Sequence, residues 1–247
     1  MKYINIIPLA GQGKRYQDAG YVTPKPLIEI DGIPMVVKAA QSLPKADKWI
    51  FICQEDHINK FSLDKILLKY FTGAVIISIN YLTEGQAITC LLAKKYINPN
   101  DKITIGPCDS AMEFDKKKFI SLLHKNDALI WTFKDNPCVL KDPKMYGWVN
   151  INKKNIPTGI SCKTPISKNP IQDNAIVGAF SFSKAQLFFD YTERLLKNKS
   201  KIRGEYYIDS VLDNIISKNY QISLFKINKY IGWGTPTDLR LYRENNK

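Results

Sequence analysis

Ile6-Ile7-Pro8-Leu9-Ala10-Gly11-Gln12-Gly13-Lys14-Arg15, followed shortly by Pro24-Lys25-Pro26-Leu27, is the most informative part of the chain. The apolar run from Ile4 to Leu9 reads as a buried strand. It breaks into small residues, two glycines and two cations. Glycine has no Cβ, so its backbone N–H can approach an anion closely. Arg15 can fork onto phosphate oxygens, while Lys14 and Lys25 add point charges. A strand ending in such a loop suits a triphosphate. A bare Gly-x-Gly is also compatible with an ordinary turn at a strand end.

Two common phosphate loops do not fit. In the Walker A pattern a glycine would stand at position 8 and a Ser or Thr would follow Lys14; the chain has Pro8 and Arg15. The dinucleotide pattern wants a third glycine where Tyr16 stands. Taken with Pro24-Lys25-Pro26-Leu27, the loop resembles the opening of the sugar-phosphate nucleotidyltransferases. That family transfers a nucleoside monophosphate from a nucleoside triphosphate to a phosphorylated acceptor and releases pyrophosphate.

The 247 residues suit one large α/β domain, and 45% hydrophobic residues suffice for a core. No apolar run approaches the ~20 residues of a membrane span. The N-terminus lacks the pattern of a secretory signal, so a cytoplasmic protein with no membrane partner is expected. The net charge of +13 comes from scattered lysines without a long basic block, so no nucleic-acid partner is expected. The five cysteines are dispersed, without Cys-x-x-Cys, and the two histidines are far apart, so no zinc site is expected.

Strands are expected at 48–53, 74–79, 102–106 and 128–133, alternating with helices at 34–43, 56–70, 86–96 and 115–125. This alternation argues for a doubly wound, mostly parallel sheet, a Rossmann-like α/β fold. Ligands in such sheets lie beyond the carboxyl ends of the strands. From Asn136 the texture changes to Pro, Gly and short extended segments at 146–149, 159–163 and 175–183. The expected organisation is one domain: a nucleotide-binding core over about 1–135, a smaller β-rich acceptor lobe over about 136–203, and C-terminal helices and a strand over 204–247 completing the core.

Asp109 ends an apolar strand, where a carboxylate can hold Mg²⁺ against a triphosphate or can cap the next helix. The resemblance implies the metal. Gly85 and Gln86 open a helix and either face a base edge or form a plain cap; the family implies base recognition there and at Ala10 and Gly11. Leu9, Gly13, Lys14 and Cys108 complete the expected nucleotide site. The resemblance implies that Lys163 contacts phosphate and that Tyr146 and Gly147 lie near the acceptor. It also implies acceptor binding by Glu205, where helix-dipole complementarity explains the acid equally well. Arg15, Lys25, Asp109 and Lys163 are thus the expected catalytic set.

The chain departs from the family at Gly232, where a second metal-binding Asp is common. Asp209, four residues after Glu205, is the first candidate to replace it, and Asp238 reads as a helix-start residue. Gly204-Glu205-Tyr206-Tyr207-Ile208-Asp209 and the Gly234-Thr235-Pro236 ending resemble a subgroup of surface-polysaccharide enzymes. This subgroup is similar to cytidylyltransferases that act on CTP and L-glutamine phosphate in capsular phosphoramidate synthesis. It implies CTP and glutamine phosphate as substrates; a sugar 1-phosphate is the competing acceptor. Metal-dependent glycosyltransferases share the fold but usually present Asp-x-Asp, where this chain has Asp109-Ser110-Ala111. A nucleotide-sensing domain without catalysis is the third reading, prompted by Gly232.

Overall fold

The computed structural model describes residues 1–246. Its strands in chain order are β1 (Tyr3–Leu9), β2 (Glu29–Ile30), β3 (Ile33–Pro34), β4 (Lys48–Gln54) and β5 (Val75–Ile79). Next come β6 (Lys102–Ile105), β7 (Ser110–Glu113), β8 (Ala128–Phe133) and β9 (Gly147–Ile151). The last four are β10 (Pro157–Cys162), β11 (Asn174–Phe182), β12 (Ile222–Lys226) and β13 (Lys229–Gly232).

Nine of these strands form the central sheet. β5, β4, β1 and β6 run parallel in that order. β11 then enters antiparallel between β6 and β8, and β12 lies parallel to β8. Strict alternation in the apolar strands explains the two-sided cover. Ile4 and Ile6 of β1, Ile50 and Ile52 of β4, and Ile130 of β8 face one core. The helices Ala185–Lys197 and Ile208–Ile216 close it with Phe188, Phe189, Val211 and Leu212. Ile7, Leu9, Phe51, Cys53 and Trp131 face the opposite core, under the helices Met35–Gln41, Leu63–Tyr70 and Lys116–Lys125. Each fully buried Ile or Phe is worth ~1.5–3 kcal/mol by area, so this doubly wound sandwich fixes strand order and the positions of the strand tips.

One strand expected in the acceptor lobe lies elsewhere. β11 is in the middle of the sheet, with Phe180 opposite Ile105 of β6 and Ile130 of β8. Its register shifts between Ile176 and Phe180, where Gly178 has φ +89°. The N-terminal part of β11 therefore runs past the end of β6, and β9 pairs with it there through Asn174 and Ala175. The β9–β10 hairpin is thus carried directly beyond the carboxyl end of β6.

The segment after β6 also differs from expectation. Ser110–Glu113 forms β7, which pairs antiparallel with β13 in a separate two-stranded sheet. The helix at 116–125 is capped by Asp115, whose carboxylate accepts from the N–H of Lys117 and Lys118. Asp109 is therefore not a helix cap. The C-terminal helix runs Pro236–Asn245, with Thr235 as its cap and Asp238 bonded to the Thr235 hydroxyl (2.7 Å), the helix-start role expected of it. The last sheet-covering helix starts only at Ile208, so Glu205 lies in the preceding turn and does not share a helix face with Asp209.

Candidate active site

The loop after β1 is braced from below and from the side. Gly13 has φ +66°, a conformation that favours glycine, and a Cβ there would lie 3.1 Å from Lys25 Cβ. Tyr16, which stands where a dinucleotide loop would have glycine, is buried; its hydroxyl donates to the carbonyls of Trp233 (2.6 Å) and Thr235 (3.0 Å). A small third core of Tyr16, Ile28, Met35, Ala111, Trp233 and Leu239 supports it. From β4, Gln54 donates to the carbonyl of Ala10. Gln54 was not among the expected site residues; a polar side chain at the tip of an apolar strand beside β1 is the signal that marks it.

A cleft of about 390 Å³ opens over this loop. It brings together Leu9, Ala10, Gly11, Gly13 and Lys25 with Gly85, Gln86 and Cys108, all expected in or beside a nucleotide site. Lys14 is exposed and borders neither this cleft nor the next. Glu205, expected at the acceptor, lines this smaller cleft. Gly85 has φ +124°, and a Cβ there would lie 2.6 Å from both the N and the O of Tyr206. The close approach that this glycine permits is therefore that of the Tyr206 backbone, which also binds Glu84 (2.8 Å) and Ala87 (3.1 Å).

A second cleft, about 960 Å³, adjoins the first and shares Pro8, Gln86 and Cys108 with it. Arg15, Asp109, Tyr146, Gly147, Lys163 and Asp209 all line it. At the boundary the Lys25 ammonium is paired with the Asp109 carboxylate. The Lys25 side chain is 16% exposed and that of Asp109 31%. Burial alone would favour neutral Asp109, but Lys25 and, more weakly, Arg15 hold its carboxyl below the usual value. Burial likewise works against charge on Lys25, and Asp109 overcomes it. Asp109 is also fixed through its backbone, since its carbonyl accepts from Trp233 N–H at 2.8 Å. The Cys108 thiol is pushed up to about 12, by burial first and by Asp109 second, so it is an uncharged wall.

At the far end of the larger cleft, Asp209 lies directly beneath Gly147. A Cβ at 147 would stand 2.1 Å from Asp209 Oδ2. Burial raises the carboxyl of Asp209, while Lys163 and the Cys162 thiol favour its charged form. Lys163 sits at φ +60°, with its ammonium on the Met145 carbonyl and 5.3 Å from the Tyr207 ring centroid. The structure thus sorts the acids into two groups, Asp109 with Lys25 and Arg15, and Asp209 with Lys163 and Cys162. Among the described residues no three His, Cys, Asp or Glu side chains gather as a metal-binding set. Asp109 can offer a cation one carboxylate, with further oxygens coming from a bound triphosphate. Mg²⁺ accepts such a site, since it commonly binds through one or two carboxylates plus substrate phosphates.

No family model matches the chain, and no curated protein matches it. Solved structures do. A nucleoside-diphosphate-sugar pyrophosphorylase from Vibrio cholerae RC9 superposes with TM-score 0.78 at 20% identity, over 97% of this chain and 99% of that one. An inositol-1-phosphate CTP transferase from T. maritima gives 0.72 at 17% identity, over 97% and 93%. A UDP-glucose pyrophosphorylase from Acinetobacter baumanii gives 0.72 at 15%, over 98% and 92%. At these identities the likeness concerns architecture: this chain has the mixed α/β fold of those pyrophosphorylases and of the CTP transferase.

Proposed function

We propose that the protein is a Mg²⁺-dependent nucleotidyltransferase that moves a nucleoside monophosphate from a triphosphate to a phosphorylated small-molecule acceptor. The observation that carries this reading is the junction of two clefts at Lys25 and Asp109. The smaller holds a glycine-rich loop suited to polyphosphate, and the larger holds Lys163 for an anionic acceptor, with Arg15 beside the Lys25–Asp109 junction. The fold shared with the pyrophosphorylases and the CTP transferase supports it.

Asp109 would hold Mg²⁺ on the triphosphate, and the bound ion would offset the negative charge of the phosphates. Lys25 then exchanges its carboxylate partner for phosphate oxygens. Arg15 steadies the departing pyrophosphate, and Lys163 orients the acceptor phosphate. An acceptor phosphate oxygen attacks the α-phosphorus in line, and the bond to the bridging oxygen of the β-phosphate breaks. No general base is required, because a phosphate monoester is already largely ionised at neutral pH.

CTP and glutamine phosphate, in bacterial surface-polysaccharide synthesis, are our favoured substrates. The support is the resemblance of Gly204–Asp209 and Gly234–Pro236 and one neighbour described as a CTP transferase. A sugar 1-phosphate acceptor is the second reading, favoured by the pyrophosphorylase neighbours. Four nucleoside triphosphates tested against glutamine phosphate and a set of sugar 1-phosphates, scored by pyrophosphate, separate them. One pairing should release pyrophosphate only when Mg²⁺ is present. Nucleotide binding without pyrophosphate from any pairing would leave a sensing domain and refute the transferase.

A further inference from the structure

Gly232 is where the resemblance leads one to expect an acid, and the structure supplies a physical reason for its absence. Gly232 pairs with Ser110 in the β7–β13 register, one residue from Asp109. A Cβ at 232 would stand 3.0 Å from Cε1, 3.1 Å from Oη and 3.3 Å from Cζ of Tyr230. The phenol ring therefore covers the position from which a second carboxylate would project. It is not a loose side chain. Its ring lies flat on Phe133, with centroids 4.3 Å apart and planes within 1°, and Phe133 meets Tyr146 edge-on at 5.9 Å.

Tyr230 lines the larger cleft together with Asp109. Burial first, and Asp109 next, keep its phenol protonated far above neutral pH, so it can donate a hydrogen bond. Ser110 lies beside it and works the other way, favouring the phenolate. No well-formed hydrogen bond joins the two: Ser110 is 1% exposed and its Oγ lacks a partner. The Tyr230 side chain, on the wall of the larger cleft, thus makes no well-formed side-chain hydrogen bond to Ser110. Ser110 borders neither cleft, so Tyr230 is the member of this pair that can reach a ligand.

We propose that Tyr230 stands in place of the missing acid as a neutral hydrogen-bond donor to the acceptor's phosphate, with Asp109 as the carboxylate offered to a metal at this strand tip. This rests on the transferase reading above. The substitution changes what the cleft prefers. A carboxylate at 232 would repel a phosphate monoester carrying up to two negative charges, whereas a phenol binds it without adding charge. The ring also adjoins Tyr146 on the wall of the same cleft, where the non-phosphate part of a small acceptor can rest.

Tyr230→Phe keeps the ring, its stacking and its cover of Gly232, and removes only the donor. In the full-length protein it should raise the acceptor KM at least ~10-fold, the scale of one hydrogen bond to a charged group. The Tm and the nucleotide Kd should stay within ~2-fold or a degree or two of wild type. An unchanged acceptor KM would overturn the assignment. Binding of inorganic phosphate, measured by calorimetry with a non-hydrolysable nucleotide present, decides the matter independently of turnover. Weaker phosphate binding in Tyr230→Phe supports the donor role, and equal binding refutes it even if wild type releases no pyrophosphate. Absence of pyrophosphate from wild type would instead refute the transferase. Steric exclusion of an acid by the Tyr230 ring is measured separately. Gly232→Asp should lower the Tm in the wild-type background and lower it less in Tyr230→Ala. An equal loss in both backgrounds would show that the ring is not what excludes the acid.

Discussion

Gly147→Ala adds one methyl group where the structure has no space for it. The new Cβ would meet Asp209 Oδ2 at 2.1 Å, Asp209 Cγ at 2.9 Å and Ile176 Cδ1 at 2.9 Å. Ordinary contact begins near 3.4 Å, so the carboxylate oxygen must retreat by about 1.3 Å. It has little freedom to do so, because Asp209 is buried on the helix Ile208–Ile216. Overpacking of this kind costs ~1–3 kcal/mol. At roughly 2–4 °C per kcal/mol for a chain of this size, the Tm should fall by about 2–12 °C. The same shift displaces the negative charge that faces Lys163, and a misplacement of about 1 Å can cost ~100-fold in rate. Thermal denaturation and pyrophosphate release at varied acceptor concentration measure both effects. Nucleotide binding in the smaller cleft should be retained, since Gly147 does not line it. A Gly147→Ala protein with wild-type Tm and wild-type acceptor kcat/KM would refute the claim that this glycine exists to seat Asp209.

Asp109→Ala and Lys25→Ala should each leave a folded protein whose turnover is down at least ~100-fold, the loss expected for one electrostatic stabiliser; full activity in Asp109→Ala would end the metal assignment. Tyr16→Phe removes the donor to the Trp233 and Thr235 carbonyls, so the Tm should drop by the equivalent of ~1–3 kcal/mol and the nucleotide Kd should rise. The two acids should respond to pH with opposite signs. The lowered carboxyl of Asp109 adds stability above its unfolded value near 3.8, and that gain disappears as pH falls through the folded value. The raised carboxyl of Asp209 does the reverse: its contribution is complete below 3.8 and is lost as pH rises through the folded value. Melts from pH 3 to 8 should therefore show wild type losing ground to Asp209→Asn as pH rises, and losing its advantage over Asp109→Asn as pH falls below 4.

The features that sequence reading captured are those encoded in contiguous residues. The run Ile4–Leu9, the glycine pair and Pro24-Lys25-Pro26 each carry their own backbone preference, so β1 and its loop follow without knowledge of the rest. The features it missed depend on partners far away in the chain. Ser110–Glu113 is only four residues long and becomes a strand because Lys229–Gly232 lies beside it. β11 looks like a continuation of the extended segments before it, yet β6 and β8 claim it for the middle of the sheet. Gly85 and Gly147 are recognisable as special positions, but what each makes room for, the Tyr206 backbone and the Asp209 carboxylate, is visible only in three dimensions. Gln54 and Tyr230 belong to no local motif at all.

The Lys25–Asp109 pair links the two clefts energetically as well as spatially. Without ligand the two charges satisfy each other, so the site carries no exposed cation–anion imbalance at its centre. A divalent ion alone must compete with an ammonium already seated on its carboxylate, and a lone carboxylate offers it few other oxygens. On the transferase reading a triphosphate would change both sides of that balance, by drawing Lys25 to its own oxygens and by supplying ligands to the ion. Metal and nucleotide should therefore bind with strong positive coupling, which by linkage is equal in both directions. Mn²⁺ titrated with and without triphosphate reads this coupling directly, and Lys25→Met should weaken it by freeing Asp109 in advance. Equal Mn²⁺ affinity in the presence and absence of nucleotide would mean that Lys25 does not guard the carboxylate.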